Sequence, residues 1–327
     1  MKTIALIKRG RNINKLKIII KLCITALLFG YILITNDIML AFYFFSNISL
    51  AVWLFIALLF LLMLLLLTVR FAIFFPEQKN ISLLYVRLIS TAYGFILPGQ
   101  VAVEGVRAYM LGKSYGDYGY AGAAITVDKI LSVIALFIMG TVGIFLTGTL
   151  GFMLGFVFIS ICIILLLLLV SLCFTFFYEN VVKLFTWFSK KTGKFGKVFV
   201  YIISLVGHWR TFAKNKSLII KSFIFGLLFQ LVCAAFGALL SYGVGATGII
   251  LEWLWILPMF SFALMLPITL GGIGVREGSL IGLLSILNIN PEYALAIAFG
   301  FLGIAILQAL MGIIMQFFLM AKREDVI

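Results

Sequence analysis

Charged residues are scarce in this chain: Asp, Glu, Lys and Arg make up 11% of its 327 residues, against about a quarter in an average soluble domain. Hydrophobic residues make up 64%, and the mean hydropathy is +1.24. Apolar runs recur along the whole chain, and no stretch is long and polar enough to form a separate soluble domain. The sequence therefore predicts a single integral membrane domain, residues 1–327, folded as an all-α polytopic helical bundle.

Histidine and cysteine are also rare, with one histidine and four cysteines in the chain. The cysteines have no metal-ligand spacing, and a lone histidine cannot form a metal site or a catalytic dyad. The sequence contains no P-loop, no dinucleotide-binding loop, no zinc signature and no candidate Ser-His-Asp set. We therefore expect no cofactor, no bound metal and no enzymatic activity.

Acidic residues are outnumbered by basic ones, 11 to 25, which gives a formal net charge of +14. The basic residues lie beside hydrophobic segments, a pattern typical of topology signals and anionic-lipid contact rather than of nucleic-acid binding. Their distribution predicts a multi-pass protein of the cell inner (cytoplasmic) membrane with both termini in the cytoplasm. Membrane lipids are the expected partners, and a second copy of the chain or envelope-biosynthesis enzymes are further candidates.

Long apolar segments predict six membrane-spanning helices. The second span is predicted to end at Arg70, which we interpret with Lys79 as a cytoplasmic topology signal. Residues 179–216 form the most basic loop, in which residues 194–213 fit either an amphipathic helix on the inner leaflet or a solvated loop. The predicted spans are residues 18–35, 50–69, 120–147, 152–178, 217–240 and 293–320.

Two further apolar regions, residues 81–118 and 249–290, do not have the pattern of simple spans. Each contains a Leu-Pro pair followed by glycines and charges, which disfavours a continuous helix. We call LPGQVAVEGVRAYML, residues 97–111, the first break and LPITLGGIGVREGSL, residues 266–280, the second break. In both, nine positions separate the proline from an arginine: Pro98 from Arg107, and Pro267 from Arg276.

The similarity of the two breaks predicts an internal duplication with broken or re-entrant helices. The first half is residues 1–150, with its break near 97–113, and the second is residues 217–327, with its break near 266–280. Charge placement predicts that the first break is entered from the cytoplasm and the second from outside. Inverted repeats of this kind form transporter binding sites near the membrane midplane.

Arginines inside a membrane are costly, and their five donors match phosphate or carboxylate oxygens. Arg107 and Arg276 are therefore the central candidates for substrate binding, with Glu104 and Glu277 expected to orient and partly neutralise them. The breaks also offer backbone N–H groups to an anion, and the residues expected to supply or shape these positions are Pro98, Gly99, Gly271, Gly272 and Gly274.

Three further charged residues have less specific predictions. Asp128 and Lys129 lie about one turn inside a predicted span. They either extend a polar path to the site or form salt bridges that hold helices together. Arg87 is expected at the inner membrane interface.

Together, the two breaks resemble the paired signatures of the flippase-like transmembrane domain of lysylphosphatidylglycerol synthases, and the resemblance covers essentially the whole chain. The synthases also carry a soluble aminoacyl-transfer domain, so we expect a stand-alone member that lacks it. The resemblance implies lipid translocation, and stand-alone relatives are associated with lipids or lipid-linked sugars of the cell envelope.

We expect a flippase that moves an anionic lipid head group, phospholipid or polyprenyl-phosphate-linked glycolipid, across the cytoplasmic membrane. Two alternatives stay open. One is a non-transporting assembly partner of envelope enzymes. The other is a membrane-embedded transferase acting on a lipid phosphate, which would need a general base or metal-binding carboxylates.

Overall fold

A computed structural model describes residues 20–96, 100–176, 178–191, 196–266, 268–269 and 271–321, and these residues contain helices and no strands. The helices are α1 Ile20–Thr35, α2 Ile38–Ser46, α3 Leu50–Phe74, α4 Asn80–Ile96, α5 Gln100–Tyr115, α6 Tyr118–Thr147, α7 Leu150–Phe176, α8 Tyr178–Lys191, α9 Gly196–Lys214, α10 Lys216–Val244, α11 Trp253–Met265, α12 Val275–Ser285 and α13 Pro291–Ala321. The predicted all-α bundle is confirmed.

Four of the described helices, α3, α6, α10 and α13, are long and apolar enough to cross a membrane. The α1–α2 pair, bent by 83°, makes a fifth candidate span if it is counted as one unit. The four long helices correspond to the predicted spans 50–69, 120–147, 217–240 and 293–320, and each extends a few residues further. The chain is therefore a polytopic membrane protein.

Side-chain caps fix where several helices begin. Asp37, Ser49, Asp117 and Asn215 each accept a hydrogen bond from a backbone N–H in the first turn of α2, α3, α6 and α10 respectively. Such caps satisfy N–H groups that have no partner within the helix. Short polar residues thus mark where these mostly apolar helices begin.

The second predicted span does not end at Arg70, and the cytoplasmic placement of this end stays a prediction. Helix α3 continues past Arg70 to Phe74, and the arginine is only 2% exposed. Its guanidinium Nε lies 2.5 Å from Asp128 Oδ1 of α6. Because a carboxylate compensates the charge, the helix can carry the arginine inside the bundle.

The basic segment 179–216 is helical over most of its described part, which excludes the solvated loop. Helices α8 and α9 pack against each other, and α9 packs against α6. Val206, Trp209 and Phe212 of α9 are buried, and the last two belong to a hydrophobic cluster with α3–α6. Contact of this segment with the inner leaflet stays a prediction.

Six helices pack into a closed ring in the order α4, α5, α6, α11, α12, α13 and back to α4. Three consecutive ring members come from each predicted half, so within the ring the halves meet at two seams, α4–α13 and α6–α11. Helix α10 also packs against α3 and α6, and α2 packs against α13, while α9 packs against α6. Exchanging α2–α6 with α9–α13 maps α3–α10 onto itself and α2–α13 onto α9–α6, which is compatible with the predicted duplication, although α9 precedes the predicted second half, residues 217–327. The opposite membrane orientations of the halves stay a prediction.

Both seams depend on glycine for close helix contact. A Cβ added to Gly312 of α13 would lie 2.2 Å from the carbonyl oxygen of Leu88 in α4. One added to Gly143 of α6 would lie 2.6 Å from Leu254 Cβ in α11. Small residues of this kind let membrane helices approach at backbone distance, so the two halves are packed in equivalent ways.

Candidate functional site

A cavity of about 370 Å³ lies inside the ring of helices. All six ring helices contribute to its lining, together with Phe229 of α10 and the segment that connects α11 to α12. Its volume falls within the range of about 300–1,000 Å³ that is usual for small-ligand sites. Both predicted breaks thus border one cavity.

The cavity lies midway along the long helices. Phe229 is 13 residues after Lys216 and 15 before Val244, the ends of α10. On α13, Ala305 is 14 residues after Pro291 and 16 before Ala321. At 1.5 Å per residue, each is about 20 Å from the ends of its helix. The site therefore has the depth expected of a transporter binding site.

Charged side chains in the cavity are predominantly cationic. Four basic residues and one acidic residue contribute to the lining: Arg87, Arg107, Lys129, Arg276 and Glu104. The formal excess is thus three positive charges in a space surrounded by apolar helices. Uncompensated charge at this depth is costly, so the cavity is chemically suited to an anion.

We call the cavity residues Arg87, Glu104, Arg107 and Lys129 the first wall. Arg107 donates to the Glu104 carboxylate at 2.5 Å and to Ser90 Oγ at 3.3 Å. The other carboxylate oxygen of Glu104 lies 3.8 Å from Lys129 Nζ. Glu104 thus holds Arg107 in place, as the sequence predicts, and offsets part of the charge of this wall.

Arg87 shares an aromatic neighbour with Arg107. The guanidinium carbons of Arg87 and Arg107 lie 6.0 and 5.2 Å from the centre of the Phe71 ring. No carboxylate within the described residues forms an ion pair with Arg87. A cation–π contact orients an arginine without neutralising it, so no ion pair offsets the charge of Arg87 within the described residues.

We call Thr269, Gly271, Gly272 and Arg276 the second wall, which precedes and begins α12. The two glycines have φ angles of 62° and 75°, a backbone conformation that most other residues avoid. Arg276 is 7% exposed. Its Nη1 atom and Thr269 Oγ1 find no hydrogen-bond partner within the described part of the chain. Buried polar atoms without partners are rare, so this wall has donors available to a ligand.

Glu277, expected to orient and partly neutralise Arg276, binds the backbone at the start of α12. Its Oε2 atom accepts a 2.6 Å hydrogen bond from the Gly274 backbone N–H, and the residue is 1% exposed and does not line the cavity. Glu277 therefore stabilises the start of α12, whereas no ion pair joins it to Arg276 among the described residues. Gly274 lies behind the wall, where an added Cβ would be 2.9 Å from Leu28 Cβ of α1.

Asp128 and Lys129 have different partners in the structure. Asp128 binds Arg70 and accepts a 3.4 Å hydrogen bond from Ser222 Oγ of α10. Arg70 also donates to the Asp128 carbonyl and to Ser132 Oγ. This network joins α3, α6 and α10 outside the cavity, which favours the salt-bridge interpretation for Asp128. Lys129 instead faces the cavity.

Arg87 is the functional residue that the sequence prediction misplaced. The structure puts it in the cavity beside Thr91 and Gly94 of the same helix, rather than at the membrane interface. Thr91 follows Arg87 by four residues and Gly94 follows Thr91 by three, which is the spacing of one helical face. The sequence of α4 therefore contains a stripe that indicates this face. Pro98, Gly99 and Pro267, also predicted to belong to the breaks, lie outside the described residues.

The ring, the helix breaks and the cationic cavity define a helical membrane protein with an internal anion-compatible site. The family model described as the lysylphosphatidylglycerol synthase TM region matches residues 18–312, so the chain belongs to that family. The predicted resemblance is confirmed, and membership associates the chain with lipid or envelope biosynthesis. Searches of curated proteins and of solved structures gave no match.

Proposed function

We propose that this protein is a lipid flippase that binds an anionic lipid head group in the central cavity. The observation that carries the proposal is the cavity itself, a strongly cationic space at mid-depth that both halves of the chain enclose. The head group would be that of a phospholipid or a polyprenyl-phosphate-linked glycolipid. The site would operate in the cytoplasmic membrane, with both termini inside.

Binding begins at hydrogen-bond donors of the second wall. Arg276 Nη1 and Thr269 Oγ1 are buried at the cavity and make no hydrogen bonds within the described residues. A phosphate oxygen can accept from both, and charge-assisted bonds of this kind are stronger than neutral ones. Arg107 would then exchange part of its bond with Glu104 for a bond to the same ligand.

Translocation uses the two seams between the halves. Because the ring closes only at α4–α13 and α6–α11, movement of one half against the other would expose the cavity through a seam. The head group would cross inside the ring while its hydrocarbon tails stay in the bilayer. This is the alternating-access behaviour of transporters built from repeats.

We also propose that the chain is not itself an enzyme. The one carboxylate lining this cavity within the described chain, Glu104, is held by Arg107 and Lys129. A transferase would need a carboxylate free to accept a proton or to bind a metal. Membrane lipids are the proposed partners.

The test is a flipping assay in liposomes that contain the purified full chain and tail-labelled fluorescent phosphatidylglycerol or phosphatidylcholine. We expect faster exchange of phosphatidylglycerol between leaflets, slowed at least about tenfold by Arg276→Gln, because charge-assisted hydrogen bonds are lost. Lys183→Gln is the matched control, since Lys183 is exposed on α8, away from the cavity. Equal rates for Arg276→Gln and parent would exclude the cavity as the route. Absence of head-group-selective exchange would favour the assembly-partner alternative.

A further inference from the structure

We infer that the head group bound in the cavity carries two anionic groups, as in a lipid diphosphate, with one group held by each wall. This inference rests on the proposed function, because it assumes that the cavity binds a lipid head group. It adds the charge and the layout of that head group.

The packing order places the two walls on opposite sides of the cavity. In the ring of six helices, α5 and α12 are separated by two helices in either direction. Arg107 of the first wall and Arg276 of the second are carried by these two helices. Two separate groups of donors therefore border the cavity from opposite sides of the ring.

Charge balance supports a ligand with more than one negative charge. The residues lining the cavity have a formal excess of three positive charges, which the buried Glu277 next to Arg276 lowers to two. Neither Arg87 nor Arg276 forms an ion pair with a carboxylate among the described residues. A zwitterionic head group leaves the whole excess in place, and a phosphodiester removes one charge. Since uncompensated charge inside a membrane is unfavourable, a diphosphate fits this cavity better than either.

Each wall can hold an anionic group by itself. The second wall offers Arg276 and Thr269, both with unpaired buried atoms. The first wall offers Arg87 and Lys129 as well as Arg107, more cationic groups than its single carboxylate, Glu104, can neutralise. Two clusters of donors, one on each side, match two linked phosphates.

The experiment compares four lipids with identical dioleoyl tails and different head groups: phosphocholine, phosphoglycerol, phosphate and diphosphate. The purified full chain in mild detergent is mixed with each lipid, and bound lipid is quantified by native mass spectrometry. We expect the tightest binding for the diphosphate lipid, about tenfold or more tighter than the phosphoglycerol lipid, since each added charge-assisted contact contributes substantially. Equal affinity for the phosphate and diphosphate lipids would overturn the assignment of two anionic groups.

Variants identify which wall is responsible. Arg87→Gln is expected to remove most of the preference for diphosphate over phosphoglycerol, Arg87→Lys to keep most of it, and Lys183→Gln to leave it unchanged. Retention of the full preference by Arg87→Gln would contradict the role of the first wall. If Arg87→Gln does not fold, the comparison of Arg87→Lys with the parent still tests whether the charge is sufficient.

The outcomes also separate this inference from the proposed function. Tightest binding of the phosphoglycerol lipid, lost in Arg276→Gln, would overturn the inference while supporting an anionic-lipid site. Equal binding of all four lipids, unaffected by Arg276→Gln, would overturn both.

Discussion

The two breaks begin with similar sequences and end with different chemistry. In the first, Glu104 and Arg107 are three residues apart on α5 and form an ion pair. In the second, Arg276 and Glu277 are adjacent on α12, and the glutamate binds the Gly274 backbone instead. Residues three apart share a helical face, whereas adjacent residues point about 100° apart. The position of one carboxylate therefore decides whether an arginine is neutralised or left available.

The same geometry explains the separation of Asp128 from Lys129. As neighbours on α6, they point in different directions, so Asp128 reaches Arg70 of α3 while Lys129 borders the cavity. Adjacent opposite charges on a helix thus indicate two separate partners more often than one local pair. Substitution of each of these carboxylates and cations tests the comparison between the two breaks.

The largest expected effect on stability comes from Asp128→Ala. It leaves Arg70 buried without its carboxylate, and breaking a buried pair in this way costs about 3–5 kcal/mol. Thermal unfolding of the detergent-solubilised protein measures the change. Lys129→Ala is the matched control, because it removes the neighbouring charge from the cavity and is expected to be much less destabilising. Equal loss in the two variants would contradict the division of roles.

Arg276→Gln is expected to weaken binding of an anionic lipid by about tenfold to a hundredfold, because it removes charge-assisted donors from the second wall. Arg107→Gln should also weaken binding, since only Lys129 would then offset the charge of Glu104 near the ligand. The double variant Glu104→Gln/Arg107→Gln should bind more tightly than Arg107→Gln alone. Lipid titration in detergent measures all three, and failure of the double variant to recover affinity would contradict the neutralising role of Glu104.

Glu104→Gln alone makes the first wall resemble the second by freeing Arg107. We expect anionic-lipid affinity to increase by up to about tenfold, because a competing carboxylate is removed from the site. Slower release should accompany the gain, so transport should not improve with affinity. Titration and the flipping assay measure these two quantities separately. Weaker binding than in the parent would show that Glu104 contributes directly to ligand contact.

Glu277→Ala has the smallest expected effect. Loss of the bond to Gly274 N–H should lower stability by about 0.5–2 kcal/mol, the usual range for a helix-capping residue. Thermal unfolding reports this change, and lipid titration should show a much smaller effect than Arg276→Gln. A loss of affinity as large as that of Arg276→Gln would indicate that Glu277 acts on the ligand after all.

Much of the architecture follows from the sequence. Long apolar runs predict α3, α6, α10 and α13 because a membrane span needs about 20 apolar residues. The two breaks are also predictable from the sequence, since proline, glycine and arginine are rare in apolar segments. The structure brings Arg107, Arg276, Glu104 and Lys129 to one cavity, and their role in substrate binding stays a prediction.

Side-chain direction and long-range partners are what the sequence does not show. The second span is predicted to end at Arg70, whereas α3 continues to Phe74, because the compensating Asp128 is far away in sequence. Adjacency of Arg276 and Glu277 does not reveal that the glutamate binds the Gly274 backbone. The basic residues of α9 do not reveal that its buried side joins a core from α3–α6. The partners of Arg70 and α9 are tertiary contacts that local sequence does not contain.

The closed ring has a consequence for the order in which the protein is made. Leu88 of α4 packs against Gly312 of α13, and at about 5–20 residues per second the second partner is synthesised on the order of tens of seconds after the first. During that interval α4, α5 and α6 bring Arg87, Arg107 and Lys129 into the membrane without the opposite half. Glu104 is made together with them and binds two of the three. The half that is inserted first therefore carries two of these cations already in ion pairs with a carboxylate, whereas Arg276 of the half that closes the ring forms no ion pair among the described residues.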